Sequence, residues 1–189
     1  MQPTPEPQLD LSNAPSVLYF YGLAGAGKSY VADLISKLSK LPVYHADDDL
    51  TPEMKTALDE KRPFTDEMRD RYFAIVAKRI LGLKSRHKQL IVTQATYKQR
   101  HREYLKSMVP DMDLIWVTAN ESSIKERLRA RKNGVGPDSA AALLRDFEIP
   151  SSGVKTIVNE EDDDYIIAQI NRLYGKPDLR ARVSPDGIN

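Results

Sequence analysis

A short stretch of the chain combines three glycines with a lysine and a serine. It fits the pattern G-x-x-x-x-G-K-[ST] and consists of Gly22, Leu23, Ala24, Gly25, Ala26, Gly27, Lys28 and Ser29. Glycines let the backbone wrap closely around an anion, so that successive N–H groups point at it. The Lys28 ammonium can then bridge the β- and γ-phosphates of ATP, while the Ser29 hydroxyl ligates Mg²⁺. The stretch predicts a phosphate-binding loop (P-loop) for Mg·ATP, and the next residue, Tyr30, is a further candidate to contact the nucleotide. The alternative is a glycine-rich turn with a surface lysine.

Three consecutive carboxylates, Asp47, Asp48 and Asp49, follow another short apolar run. Transfer of a phosphoryl group to a hydroxyl needs a carboxylate that accepts the hydroxyl proton, and a second one can hold a water of Mg²⁺. We expect the base to belong to this group, with Asp47 as a metal ligand and Asp48 as a substrate contact. Which of the three is the base stays open, and solvated turn residues or a helix cap are alternatives.

Basic residues near the end of a predicted helix could cover the transferring group. Arg127, Arg129 and Arg131 precede residues 133–137, which are rich in glycine. We interpret residues 127–140 as a lid, in which Arg127 and Arg131 close over the phosphates and neutralise charge in the transition state. A solvated basic helix face is the alternative interpretation.

Short apolar runs alternate with helical patterns along the whole chain, which indicates how these groups are positioned. Val31, Leu34, Ile35 and Leu38 recur at intervals of three and four and predict a helix that starts near Lys28. The alternation favours an α/β fold with about five parallel strands, helices on both faces, and the ligand at the carboxyl ends of the strands. The runs lie at residues 17–21, 43–46, 90–93, 114–117 and 154–158.

Composition bounds the domain organisation and the partner. The 189 residues, 41% of them hydrophobic, suit one domain, which we place at residues 15–175 between tails at 1–14 and 176–189.

The net charge of +1 argues against nucleic acid and favours a small-molecule acceptor. The absence of cysteine excludes disulfides and thiolate metal sites. We find no signal peptide and no membrane span, so the sequence predicts a cytoplasmic protein; it leaves a homodimer open.

Four further segments follow one another in a recognisable order. They look like the patterns P-L-x-D-x-D-R, S-A-L-K-x-x-Y-R-D-x-L-R with one residue inserted, R-L-x-x-R-K and L-L-x-S-Q-F-x-x-L-E-x-P, and they lie at residues 63–69, 95–106, 127–132 and 143–150. Together with the P-loop, this series resembles the gluconate kinase family, relatives of the shikimate kinases. The resemblance covers most of residues 17–174 and implies the nucleoside-monophosphate-kinase-like P-loop NTPase fold.

The resemblance also implies an ATP-dependent kinase that uses Mg²⁺ and releases ADP and a phosphate monoester. Polar groups that leave the third strand at residues 93–98 are candidates to hold the acceptor, although they could equally cap the next helix. Arg69, Lys98 and Arg102 are candidates to grip an anionic or polyhydroxylated acceptor such as a sugar acid, because guanidinium groups suit carboxylates.

Two departures from the family concern the acceptor. In the family, the pattern D-G-D-x-x-H-P follows the second strand. Residues 46–52 stand in its place here, and the histidine of the pattern is missing. The family also has a serine after the third strand, where this chain has Gln94. A kinase for a nucleotide, a polynucleotide end or a coenzyme precursor is therefore an alternative. A regulatory protein that binds ATP without transferring phosphate is another.

Overall fold

The computed structural model describes residues 8–130 and 146–176. In this part of the chain, five parallel strands form one sheet with the order β2-β3-β1-β4-β5. The strands are β1 (Val17–Tyr21), β2 (Val43–His45), β3 (Leu90–Gln94), β4 (Met112–Thr118) and β5 (Thr156–Val158). The predicted α/β fold with five parallel strands is confirmed, and the carboxyl ends of all strands meet at one edge.

Helices connect consecutive strands and cover both faces of the sheet. They are α1 (Lys28–Ser39), a 3-10 turn (Ala46–Asp49), α2 (Pro52–Asp59), α3 (Asp66–Lys84), α4 (Gln99–Met108), α5 (Glu121–Ala130) and α6 (Asp163–Tyr174). None of the helices in the described residues combines the length and the apolar composition that a bilayer-spanning helix needs.

The central strand β1 is buried on both faces, as its unbroken apolar sequence predicts. Its side chains alternate between two cores. Tyr19 belongs to the core that contains Phe73 of α3, whereas Phe20 belongs to the core that contains Ile35 of α1 and Ile170 of α6. Helices on both sides therefore fix β1, and with it the start of the P-loop.

The segment before β1 is attached to the C-terminal helix, although the sequence assigned it to a tail. The Asp10 backbone N–H donates to Asn171 at 2.7 Å, and the Asp10 carboxylate accepts from the backbone N–H of Lys176 at 2.9 Å. Hydrogen bonds from Ser12 and Lys176 hold the pKa of Asp10 at about 2. Residues 8–14 thus belong structurally to the domain, while residues 1–7 lie outside the described part.

A buried histidine joins α3 to α4. The His101 ring stacks on Phe73 with 4.5 Å between centroids, and its Nε2 lies 2.8 Å from Oδ1 of Asp70. Nδ1 is buried and has no hydrogen-bond partner among the described residues. Burial lowers the pKa of His101 despite its bond to Asp70, because a proton on Nδ1 would have no acceptor.

This environment predicts that acid destabilises the fold. A histidine with a lowered pKa binds its proton at a lower pH in the folded chain than in the unfolded chain, where the ordinary value is 6.5. We expect the free energy of unfolding, measured by urea denaturation, to fall as the pH is lowered from about 7.5 to about 5.5. The slope should be smaller in His101→Gln and unchanged in His87→Gln, whose side chain is exposed. Equal slopes in all three proteins would contradict the assignment.

Candidate active site

The P-loop joins β1 to α1 and runs directly against the ends of β4 and β5. Gly22 and Gly27 have φ angles of 151° and 93°, which only glycine adopts easily. A Cβ at Gly22 would lie 2.2 Å from the carbonyl oxygen of Val117, and one at Gly27 would lie 1.9 Å from Nδ2 of Asn159. Both positions therefore require glycine for conformation and for space.

Two side chains bind the carbonyl groups on the back of this loop. Nδ2 of Asn159 donates to the Ala26 carbonyl at 3.0 Å, and the Arg127 guanidinium donates to the carbonyls of Ala26 and Gly25 at 3.3 and 3.5 Å. The C=O and N–H of one trans peptide point in opposite directions. Fixing the Ala26 carbonyl from behind therefore turns the Gly27 N–H toward the other side of the loop.

The start of α1 continues this row of donors. Its N-terminal cap, Gly27, offers no side chain to the first turn, and the first intrahelical bond runs from the N–H of Val31 to the Gly27 carbonyl at 3.0 Å. The first N–H groups of a helix have no acceptor within it and carry the positive end of the dipole. Lys28 adds charge beside them, and its Nζ donates to the Leu23 carbonyl at 2.9 Å. The arrangement suits an anion such as a phosphate.

A cavity of about 430 Å³ adjoins the loop, and its lining unites predicted and unpredicted residues. The Tyr30 hydroxyl donates to Asp163 at the start of α6. Asn159 and Glu161 follow β5 and were missed by the sequence, although polar residues that leave a strand end are a usable signal. The lining consists of Gly25, Gly27, Ser29, Tyr30, Arg127, Asn159 and Glu161.

The three consecutive carboxylates diverge because β2 ends at His45 and a 3-10 turn follows. Asp47 accepts a hydrogen bond from Nε2 of Gln94, the last residue of β3, at 3.0 Å. Asp49 accepts one from the Tyr44 hydroxyl at 2.8 Å and lies 3.7 Å from Arg79 of α3. Asp48 is exposed. Asp47 is thus directed toward the end of β3, whereas Asp49 is engaged with α3.

Tyr97, in the loop after β3, lies between the P-loop and the groups predicted to hold an acceptor. Its ring meets Phe147 edge-on, with 5.7 Å between centroids. Burial raises the pKa of its hydroxyl to about 12; the backbone N–H of Ala24 lowers the pKa, Asp47 raises it and Arg69 lowers it. The hydroxyl therefore stays protonated at neutral pH. The sequence singled out this segment but not this tyrosine.

Arg69 and Lys98 lie together beside this tyrosine and share one carboxylate. Nη2 of Arg69 donates to Oδ2 of Asp146 at 2.9 Å, and Nη1 lies 3.6 Å from Asp66. Nζ of Lys98 lies 4.0 Å from Oδ1 of Asp146 and 3.6 Å from Oε1 of Glu148. The structure therefore brings these two predicted acceptor contacts together, with their charges already paired.

Arg102 differs from them, because its guanidinium is buried and binds backbone carbonyls. It donates to Thr96, Tyr97 and Glu148 at 3.1, 3.3 and 2.7 Å, and the residue is only 1% exposed. Its guanidinium carbon also lies 5.1 Å from the ring centroid of Tyr21. This geometry argues against the predicted contact with the acceptor and gives Arg102 a structural role. It connects the loop after β3 to the segment at residue 148.

The lid prediction is only partly within the described residues. Arg127 lines the cavity and Arg129 is exposed, while the predicted contact of Arg127 with phosphates stays a prediction. Arg131 and the rest of the predicted lid up to residue 140 lie outside the described part.

A substitution at Arg102 should separate structural support from acceptor binding. Arg102→Ala removes a buried guanidinium that donates to one buried and two partly buried carbonyls, so we expect the free energy of unfolding to fall by about 3 kcal/mol in urea denaturation. Arg100→Ala, on the same helix with a side chain 48% exposed, should cost less than about 1 kcal/mol. An Arg102→Ala protein as stable as wild type, but with weakened acceptor affinity, would restore the role that the sequence predicted.

Several solved kinase structures share this fold. A gluconokinase from Sinorhizobium meliloti 1021 is 23% identical with a TM-score of 0.71, over 87% of this chain and 95% of that one. A sugar kinase from Janibacter sp. HTCC2649 is 21% identical with a TM-score of 0.71, over 84% of this chain and 93% of that one. The APS kinase CysC of Mycobacterium tuberculosis, solved with AMPPNP and APS, is 16% identical with a TM-score of 0.61, over 85% and 97%.

These similarities confirm the resemblance to gluconate kinases at the level of the fold. A comparison with curated proteins found no significant match. The sequence profile described as "AAA domain", however, matches residues 19–142, which include the P-loop, the three aspartates and Arg127. The chain therefore belongs to the AAA domain family and has a P-loop kinase fold.

Proposed function

We propose that this protein is an ATP-dependent kinase that transfers the γ-phosphoryl group to a hydroxyl of a small acceptor, such as a sugar acid or a similar polyhydroxylated compound. One juxtaposition carries the proposal. Tyr21, which precedes the P-loop, pairs with Gln94 in the sheet, and Gln94 donates to Asp47. Neighbouring strands lie about 4.8 Å apart, so a carboxylate is held within side-chain reach of the phosphate-binding loop.

On the nucleotide side, the proposed contacts are the backbone N–H groups of residues 24–29 and the Lys28 ammonium. The cavity beside them would take the rest of ATP, with Arg127 and Tyr30 in its wall. Arg127 donates to the loop carbonyls at 3.3 and 3.5 Å and lines the cavity, so its charge would lie beside the bound nucleotide. The resemblance to kinases, one of them solved with AMPPNP, supports ATP as the donor.

The residues present also fit Mg²⁺. Among the described residues, no group of three or more His, Cys, Asp or Glu side chains could hold a metal alone. That fits Mg²⁺, which is commonly bound by one or two carboxylates together with substrate phosphates. The Ser29 hydroxyl would hold the ion directly, whereas the Asp47 carboxylate would accept a hydrogen bond from a water of the ion and so stay able to accept a proton. When bound, the ion would neutralise charge that develops on the phosphates.

The chemistry follows from Asp47 and Lys28. Asp47 orients the acceptor hydroxyl and accepts its proton, and the hydroxyl oxygen forms a bond to the γ-phosphorus. The bond between that phosphorus and the β–γ bridging oxygen breaks, so ADP leaves and a phosphate monoester remains. Lys28 stabilises the negative charge on the phosphate oxygens throughout.

A test of this function begins with ADP release, measured in a coupled assay with Mg·ATP. We expect release only in the presence of particular hydroxyl compounds, from a panel of sugar acids, polyols, shikimate, nucleosides and nucleotides. Lys28→Ala should abolish the acceptor-dependent rate and leave the circular dichroism spectrum unchanged, whereas Lys37→Ala, exposed on the same helix, should change neither. Tight ATP binding without turnover on any acceptor would overturn the kinase function and favour a regulatory ATP-binding protein.

Substitutions in the aspartate turn should identify the base. Asp47→Asn keeps the shape but cannot take the proton, so kcat should fall about 10²- to 10⁴-fold in steady-state assays with the best acceptor. Asp48→Asn changes the same charge one residue away and should alter kcat by less than about tenfold. Asp49→Asn should mainly lower the free energy of unfolding, because a neutral amide weakens the hydrogen bond from Tyr44 and removes the charge that faces Arg79. A larger loss of kcat at Asp48 than at Asp47 would reject Asp47 as the base.

A further inference from the structure

The two cations that could hold an anionic acceptor are already paired inside the protein. The Asp146 carboxylate accepts from Arg69 at 2.9 Å through one oxygen and faces Lys98 at 4.0 Å through the other. Glu148 lies 3.6 Å from the same lysine. Asp146 is therefore the carboxylate that both cations share.

Burial makes the pairing of Arg69 compulsory. Its side chain is only 11% exposed, and a buried guanidinium without an anion costs several kcal/mol. Asp66, the other carboxylate near it, is 70% exposed and lies 3.6 Å away, so solvent screens that interaction. Asp146 thus occupies the position that the carboxylate of an acceptor would need.

This pair lies on the acceptor side of the proposed site. Asp146 precedes Phe147, whose ring contacts Tyr97, and Tyr97 precedes Lys98. Asp47 accepts its hydrogen bond from Gln94, which lies three residues before Tyr97 at the end of β3. The short segment from Gln94 to Lys98 therefore leads from the contact of the proposed base to the Arg69–Asp146 pair.

The charges around this region disfavour a negative ligand. Among the described residues there, Arg69 and Lys98 lie within 4.0 Å of three carboxylates, those of Asp66, Asp146 and Glu148. A carboxylate acceptor would have to displace Asp146 and remain next to it, and like charges placed together in an interface are costly. A hydroxyl group pays no such cost and can donate to the same carboxylates.

We propose that Asp146 is a specificity-determining residue, which occupies Arg69 and Lys98 so that the site takes an uncharged polyhydroxylated acceptor in preference to its carboxylate analogue. The inference rests on the kinase function proposed above and narrows its acceptor class from sugar acids and similar compounds to the uncharged polyhydroxylated ones. Asp146→Asn should release both cations for a carboxylate, while Asp146→Glu should keep the original preference.

The test uses glucitol and gluconate, which share a six-carbon polyhydroxyl chain and differ at one end by CH₂OH or COO⁻. In ADP-release assays, kcat/KM of wild type should be higher for glucitol. Asp146→Asn should shift the ratio toward gluconate roughly tenfold, as expected for one charged hydrogen-bonded contact. Asp66→Asn removes the same charge from the exposed neighbour of Arg69 and should shift the ratio less than about twofold. Higher kcat/KM for gluconate in wild type, or an unchanged ratio in Asp146→Asn, would overturn the proposal.

A binding measurement separates this inference from the kinase function. Gluconate is titrated by calorimetry into wild type, Asp146→Asn and Asp66→Asn, each saturated with Mg·ADP, after circular dichroism has shown that the variants are folded. Roughly tenfold tighter binding to Asp146→Asn alone would support the charge assignment even if no acceptor is phosphorylated. Equal binding to all three proteins would overturn it, whereas absent turnover with intact ATP binding would count only against the kinase function.

Discussion

The structure of the candidate site depends on the hydrogen bonds that hold the carbonyl groups of the P-loop. A loop that offers N–H groups to an anion must direct its carbonyl oxygens elsewhere, and buried carbonyls need donors. Asn159 and Arg127 supply these donors, and Arg127 also donates to the Asn159 carbonyl at 2.8 Å, so the two residues brace one another. They come from the end of β5 and from α5 respectively. The conformation of the P-loop therefore depends on α5 and on the residue that follows β5.

The proposed acceptor side follows a different principle, since its framework consists of the buried charges of Arg69 and Arg102. Arg102 and Arg69 lie near each other in the fold, but one binds backbone carbonyls and the other binds a carboxylate. Carbonyl groups cannot leave Arg102, because they belong to the chain that it connects. A side-chain carboxylate can rotate away, so the partner of Arg69 can be exchanged. Arg102 therefore fixes the shape of this region, whereas the net charge around Arg69 depends on which carboxylate pairs with it.

The sequence predicted what lies in contiguous stretches and missed what depends on distant contacts. The P-loop, β1 and α1 follow from local spacing, and the structure agrees with each. The three aspartates could not be ranked, because the partner of Asp47 lies 47 residues further along the chain. The sequence makes Arg102 a candidate for an acceptor contact, and only the fold reveals the carbonyl of Glu148, 46 residues away, that accepts its hydrogen bond. The role of Asp146 could not be predicted from the sequence either, because its partner Arg69 lies 77 positions away in the chain.

The bond between Asp10 and Lys176 has a consequence for the connectivity of the chain. It brings the two ends of the described domain together at the edge of the sheet where β1 begins, whereas the P-loop lies at the opposite edge. A short linker could therefore join residue 8 to residue 176, and new termini could be opened in a surface loop, giving a circular permutant in which the P-loop is undisturbed. In the same way, a reporter domain attached at residue 8 or at residue 176 would start at the opposite edge of the sheet from the P-loop.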